Sequence, residues 1–298
     1  MSTVSIYREM ESSPTVILYG GGGDHEMILR DIDGWYGSPE SKVQLSERAY
    51  GNGAHDIASE DIDYGARTVI VDWRIIANGR DGMLSALHAI RTLAGHTVRI
   101  RVVDGMDDLY AVGYVHEAGK DKSAQNIPQQ TETGTLTIIC QRPELLSTRA
   151  SQVQLMPVSR VRGGLSYGPD GKGLSYGPDG RGLSYGVSAG GERNLAVLSN
   201  HGTTLAYPTL TVTGPFPAGV EIQTGVGGVI RYTGAVGMVP LVMQCDPRSM
   251  AASMGGVDVG RNLTGRDLPA IPAGGSMSLR LMSAGSGWVT ITTRDAYL

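Results

Sequence analysis

Three serines stand where serine hydrolases place a nucleophile. Gly-Leu-Ser-Tyr-Gly occurs at residues 164–168, 173–177 and 182–186, which puts Ser166, Ser175 and Ser184 at the centre of a G-x-S-x-G pattern. That elbow works only where a strand turns sharply into a helix. Here Pro169-Asp170-Gly171 and Pro178-Asp179-Gly180 follow the first two copies and make turns where the helix would begin. The serines therefore read as a repeat and not as nucleophiles. Gly20 to Gly23 ahead of Asp24-His25 offer a phosphate cradle only superficially, because no Lys-Ser/Thr follows and the G-x-G-x-x-G register is missing. His25, His55, His88, His96, His116 and His201 show no metal-ligand spacing. The acidic pairs Asp61/Asp63 and Asp107/Asp108 have the residue type of glycosidase carboxylates or calcium ligands. They lack the spaced Asp/Asn-Gly-Glu loop, so they read as solvated turns. No catalytic residue, cofactor or metal site is expected. Tyr167, Tyr176 and Tyr185 are left as candidates for an exposed stacking surface that takes sugar rings or a partner protein.

The chain that carries these residues has 298 of them, enough for about two domains of roughly 100 to 200 residues each. Gly is abundant (43), charged residues are sparse (18%), and apolar residues make up 41%, a mixture that suits many short strands joined by tight turns. The class reads as mainly β. A formal charge of −4 supplies no general field for phosphate backbones, which argues against a dedicated nucleic-acid binder. Cys140 and Cys245 lie far apart and read as reduced, partly buried thiols made in a reducing cytoplasm. The first ten residues lack a basic start followed by an apolar stretch, and no run of about 18 apolar residues occurs, so neither export nor membrane insertion is expected.

Local pattern then places the elements. Thr15 to Tyr19 and Glu26 to Asp31 read as strands with the four glycines as a hairpin or bulged connection between them. Residues 43–64, polar and punctuated by Tyr50-Gly51-Asn52-Gly53-Ala54, read as a long extended arm. Arg67 to Ile76 is rich in β-branched residues and nearly continuous in apolarity, which predicts a central strand covered on both faces. Leu84, Leu87, Ile90 and Leu93 or Ala94 recur at helical spacing between Asp81 and Gly95. Strands are predicted at 97–103, 109–116 and 134–140, the last two separated by a polar loop from Glu117 to Thr133. Residues 150–192, which hold the nine-residue repeat, read as an exposed insertion or linker. From Asn194 onward short strands at 195–199, 208–213, 220–224, 228–232, 239–245, 276–282 and 288–292 give the pattern of an antiparallel sandwich, with Leu279, Leu281, Val289 and Ile291 pointing inward.

A set of motifs in fixed order adds a resemblance. Asp33-Gly34-Trp35-Tyr36-Gly37-Ser38-Pro39, Gly51-Asn52-Gly53-Ala54 and Tyr64-Gly65-Ala66-Arg67-Thr68-Val69-Ile70-Val71 precede the helix. Thr213-Gly214-Pro215, Ile230-Arg231-Tyr232-Thr233-Gly234, Ile271-Pro272-Ala273-Gly274-Gly275 and the ending Arg294-Asp295-Ala296-Tyr297-Leu298 follow it. In this order the chain resembles the distal tail (minor tail) proteins of long non-contractile-tailed phages, over most of its length except 150–192. The resemblance implies a small β-barrel belt domain with one helix at 1–149, and a galectin-like antiparallel β-sandwich at 193–298. It implies a structural virion protein and not an enzyme, a hexameric ring whose copies join edge to edge and extend the tail tube. The tail tube protein, tail tip and tail-associated proteins and the tape measure protein are the partners it implies. DNA would pass through without specific binding, and assembly would take place in the bacterial host cytoplasm. Trp35, Tyr36, Tyr50 and Asn52, with the three repeat tyrosines, are the candidates for subunit or partner contact. A bore free of basic residues would suit DNA passage, with Asp61, Asp63, Asp104, Asp107 and Asp108 as contributors and Arg99 and Arg101 elsewhere. The alternative is a glycan-binding adsorption module of the tail.

Overall fold

Alternation along the strands decides most of the architecture. The computed structural model describes residues 2–8, 11–20, 26–58, 62–121, 131–157, 193–249 and 251–298. They divide into two compact units, 1–149 with 295–298, and 150–294.

In the first unit, β1 (Thr3–Arg8), β2 (Val16–Gly20), β3 (Met27–Asp33), β4 (Arg67–Ile76), β5 (Thr97–Asp104), β6 (Asp107–Lys120) and β7 (Thr131–Cys140) form a closed barrel. The order is β6-β5-β1-β2-β3-β4-β7, and β7 pairs back onto β6. Val69, Val71, Trp73 and Ile75 of β4 are each at most 2% exposed, and Arg67 shares their parity. Their neighbours Thr68, Arg74 and Ile76 are exposed. The strand is central, between β3 and β7, but the expectation that both its faces are covered is corrected: a single-layer barrel wall buries only one. The helix α1 (Arg80–Arg91) follows β4 and turns Met83, Ala86, Leu87 and Ile90 into the core. Met83 takes the inward place expected of Leu84, which is half-buried.

Two further expectations change. Gly21 to Gly23 lie outside the described residues, but the strands on either side pair in parallel, Tyr19 with Ile28 and Gly20 with Leu29, so they are not a hairpin. β2 belongs to β1 and β3 to β4, each antiparallel, and the barrel closes where the two pairs meet. That closure is a long-range event that no local pattern records. The loop expected from Glu117 to Thr133 is shorter than predicted, because the β6–β7 ladder continues past a bulge near His116 to Lys120 and Gly134. Polar residues hold strand there because backbone pairing is already set by the neighbouring turns of the ladder. Closure also bears on assembly. Among the described residues the wall has little free edge beyond the narrow β2–β3 seam and an appended pair, β8 (Leu145–Ser147) and β20 (Ala296–Tyr297). Joining of copies edge to edge therefore has little barrel edge to use.

The second unit is an antiparallel sandwich. One sheet contains β10 (Leu195–Ser199), β18 (Ser276–Leu281), β12 (Val220–Thr224), β13 (Val229–Tyr232) and β17 (Leu263–Arg266). The other runs β16 (Val257–Asp258), β15 (Ala252–Met254), β14 (Leu241–Gln244), β11 (Thr209–Thr213), β19 (Trp288–Thr293) and β9 (Ser151–Leu155). Leu279, Leu281, Val289 and Ile291 are buried as the alternation requires. β9 is missed from sequence, since only Leu155 of its five residues is fully buried and the rest read as part of the insertion. Several of the quoted motifs are packing devices. Buried Asn200 donates through Nδ2 to the carbonyls of Thr204 (2.7 Å), Ile271 (3.3 Å) and Pro272 (3.2 Å), pinning the 271–275 turn.

Candidate assembly surface

The motif at residues 33–39 crosses one end of the barrel, and the reason is a buried cation. Gly34 takes φ +74, and a Cβ there would fall 1.9 Å from the Thr68 carbonyl oxygen, so only glycine lets the chain cross the start of β4. The backbone then wraps the Arg67 guanidinium. Nη1 donates to the carbonyls of Gly34 (2.7 Å), Trp35 (3.1 Å) and Gly37 (2.6 Å), while Nε donates to Pro143 (2.8 Å). Arg67 is 1% exposed. Burial lowers its pKa, and nearby Cys140 and Glu144 oppose that shift. It stays charged, because an arginine starts far above neutral pH.

This cage settles the two aromatic residues of the motif in opposite directions. Trp35 is 4% exposed and belongs to the barrel core, so its indole is not offered to a partner. Tyr36 is 63% exposed, and its hydroxyl donates to Asp104 Oδ2 at 2.7 Å. Local burial of the hydroxyl, and next the bond to Asp104, push the phenol up to about 12. Asp104 and Asp107 frame the β5–β6 turn, whose Met106 is fully exposed. Tyr297 lies close enough to Asp107 for its phenol to be raised, first by burial and then by Asp295 and Asp107.

The arm leaves directly from this corner. Ser41 bridges Tyr64, Glu47 bridges Ala54, and the His55 N–H donates to Ser46 at 2.9 Å, so the described residues form a narrow ribbon. Apart from Ala54, every residue from 44 to 58 is exposed, with Tyr50 at 95% and Asn52 at its tip.

The remaining candidates do not converge. Tyr167, Tyr176, Tyr185 and the three repeat serines lie outside the described residues, as do Asp24, His25 and Asp61. Asp108 is engaged by Arg101 through two hydrogen bonds of 2.7 Å, which holds its carboxyl below the usual range and separates it from Asp107. Both cysteines are free and buried, and burial pushes Cys140 up to about 11 and Cys245 to about 12, the state of unreactive thiols. Among the described residues no three His, Cys, Asp or Glu side chains are placed to hold a metal, and no helix is long and apolar enough to cross a membrane. Sequence reading missed Arg67. Its signal was present in the parity it shares with Val69, Val71, Trp73 and Ile75.

No family profile and no curated protein sequence matches this chain. Solved structures do. The SPP1 Dit (gp 19.1) protein, described as a paradigm of hub adsorption apparatus in Gram-positive infecting phages, is similar over 99% of this chain and 99% of its own, with a TM-score of 0.62 and 12% identity. A chain of the phage P2 baseplate in its activated conformation with Ca matches at TM-score 0.54 and 9% identity, over 99% of this chain and 98% of its own. The Sr form of that baseplate matches at 0.53 and 10%, over 98% of both chains. At such low identity the likeness is one of fold. The expected order of a small barrel with one helix followed by an antiparallel sandwich is borne out, and from end to end the chain has the fold of the SPP1 Dit hub protein.

Proposed function

We propose that this chain is a distal tail hub, a structural virion protein that forms a ring between the tail tube and the tip of a phage tail. The observation that carries the reading is coverage. A barrel or a sandwich alone hosts many functions, but here both, with the helix, match a hub protein over 99% of each chain. The ribbon formed by the described residues of 41–64 supports it, because a solvated two-stranded excursion with no fully buried residue gains little from its own domain and suits contact with another subunit. In this reading six copies close the ring, with Tyr36, Tyr50 and Asn52 among the contacts. The tail tube protein binds one side, and tip and tail-associated proteins the other. The tape measure protein and then DNA occupy the bore, and the chain joins the virion after assembly in the host cytoplasm. Gold labelling of this chain on intact virions should mark one band at the junction of tube and tip. Label along the whole tube, or none on the tail, would contradict it.

A second reading has one observation in its favour. β9, β11, β14 and β19 contain no charged residue. The outer face they share aligns Gln152, Thr292, Thr209 and Gln244 in one row and ends at the half-exposed Trp288. Hydroxyls, amides and one aromatic ring suit a neutral glycan. Binding of host wall polysaccharide that is lost on Trp288→Ala would favour this role.

A further inference from the structure

We propose that copies of this chain join head to tail through opposite walls of the barrel, with Arg99 of one copy entering between Asp31 and Asp72 of the next. This rests on the hub reading and names the surfaces that make its ring.

The barrel order supplies the geometry. β5 is three strands from β3 in one direction and three from β4 in the other, so the β3–β4 wall lies across the barrel from β5. A contact between different faces of identical subunits passes from copy to copy and makes a ring where the rotation closes. Because the β5 and β3–β4 walls lie within a nearly closed barrel, the contact between them is made by side chains. The seam edge is also blunted: Asp31 Oδ1 accepts from its neighbour Ile32 N–H, and Asp33 Oδ1 from Gly34 N–H, both at 2.8 Å.

The two walls are chemically complementary. On β3–β4, Asp31 and Asp72 are direct cross-strand partners on the outer face. Like charges opposed in this way destabilise a sheet. Neither forms a salt bridge among the described residues, and Arg74, next on the same face of β4, pairs with neither. A cation supplied from outside would reverse the sign of that interaction. On the β5 side, Arg99 lies over the Tyr7 ring of neighbouring β1 at 4.5 Å to the centroid, which positions the guanidinium on the outer wall. Its cross-strand neighbour is Val112, 38% exposed, and Tyr114 beyond it is 40% exposed. Arg101 on the same strand is already committed to Asp108, which leaves Arg99 as the cation on offer there. Ile76, 40% exposed on β4, gives the receiving wall an apolar contact of its own. Arginine, tyrosine and apolar side chains against paired carboxylates make the composition of a subunit interface.

Charge reversal tests it. Arg99→Asp and Asp72→Arg, made singly and together in the full chain, are compared with wild type by sedimentation velocity and negative-stain microscopy. Each single reversal should weaken ring formation by about tenfold or more, and the pair should restore most of the loss. A mixture of Val112→Cys and Ile70→Cys chains should also give an intermolecular disulfide that neither chain gives alone; the native cysteines are buried. This arm decides the question if a reversal misfolds. Wild-type rings that persist in both reversals, or no mixed disulfide, contradict this inference and leave the hub reading standing. A wild-type chain that stays monomeric contradicts both.

Discussion

Two adjoining segments, each with two glycines, meet opposite fates. Residues 33–39 and 41–64 are both glycine-punctuated, aromatic and poor in aliphatic side chains. The first is held at the barrel end by a single guanidinium that satisfies the carbonyls of Gly34, Trp35 and Gly37. Among its described residues the second has two isolated bridges and no fully buried side chain. Glycine content therefore does not set order in this chain. What sets it is whether a buried donor collects the free carbonyls, since an unsatisfied buried carbonyl costs about 1–3 kcal/mol.

That comparison breaks most sharply at Arg67. Arg67→Met keeps the volume but strips the carbonyl partners, and should cost about 3 kcal/mol or more by urea unfolding. A loss below 1 kcal/mol, on the order of one ordinary hydrogen bond, would mean that the cage is incidental. Gly34→Ala should come next, at about 2 kcal/mol or more, from the positive φ together with the clash at the Thr68 carbonyl. Nearly native stability there would show that the loop has another path across β4. Asp108→Asn removes a bidentate but partly exposed ion pair and should cost about 1 kcal/mol near neutral pH. The folded carboxyl lies below its ordinary value, so this contribution is present above the unfolded pKa and fades as pH falls. The gap between wild type and variant should begin to close near about pH 4 and vanish only below the folded pKa; a gap that widens in acid would overturn the assignment. Deleting residues 47–54 joins Ser46 to His55, whose backbones are already hydrogen-bonded. Stability should change by only about 0.6 kcal/mol, while ring formation should be lost. Rings of normal size from that deletion would remove the arm from the assembly account.

The sequence made the elements legible where one face is buried. β4 and the inward set of β18 and β19 follow from alternation, and α1 from its spacing and from Gly95. It left illegible what closes at long range. Nothing local distinguishes a β2–β3 hairpin from two strands that meet in parallel at a barrel seam, and β9 is too polar to stand out from the insertion. At the candidate surface, Tyr36 and Tyr50 could be singled out as aromatic residues in polar surroundings. Which of Trp35 and Tyr36 turns inward depends on the Arg67 cage, and that depends on a strand about thirty residues away along the chain.

Native mass spectrometry with negative-stain microscopy of the purified full-length chain bears most directly on the hub reading. The account predicts a closed ring of six copies with an open bore. A monodisperse monomer at every concentration tested, or an open filament of the same subunits, would contradict it.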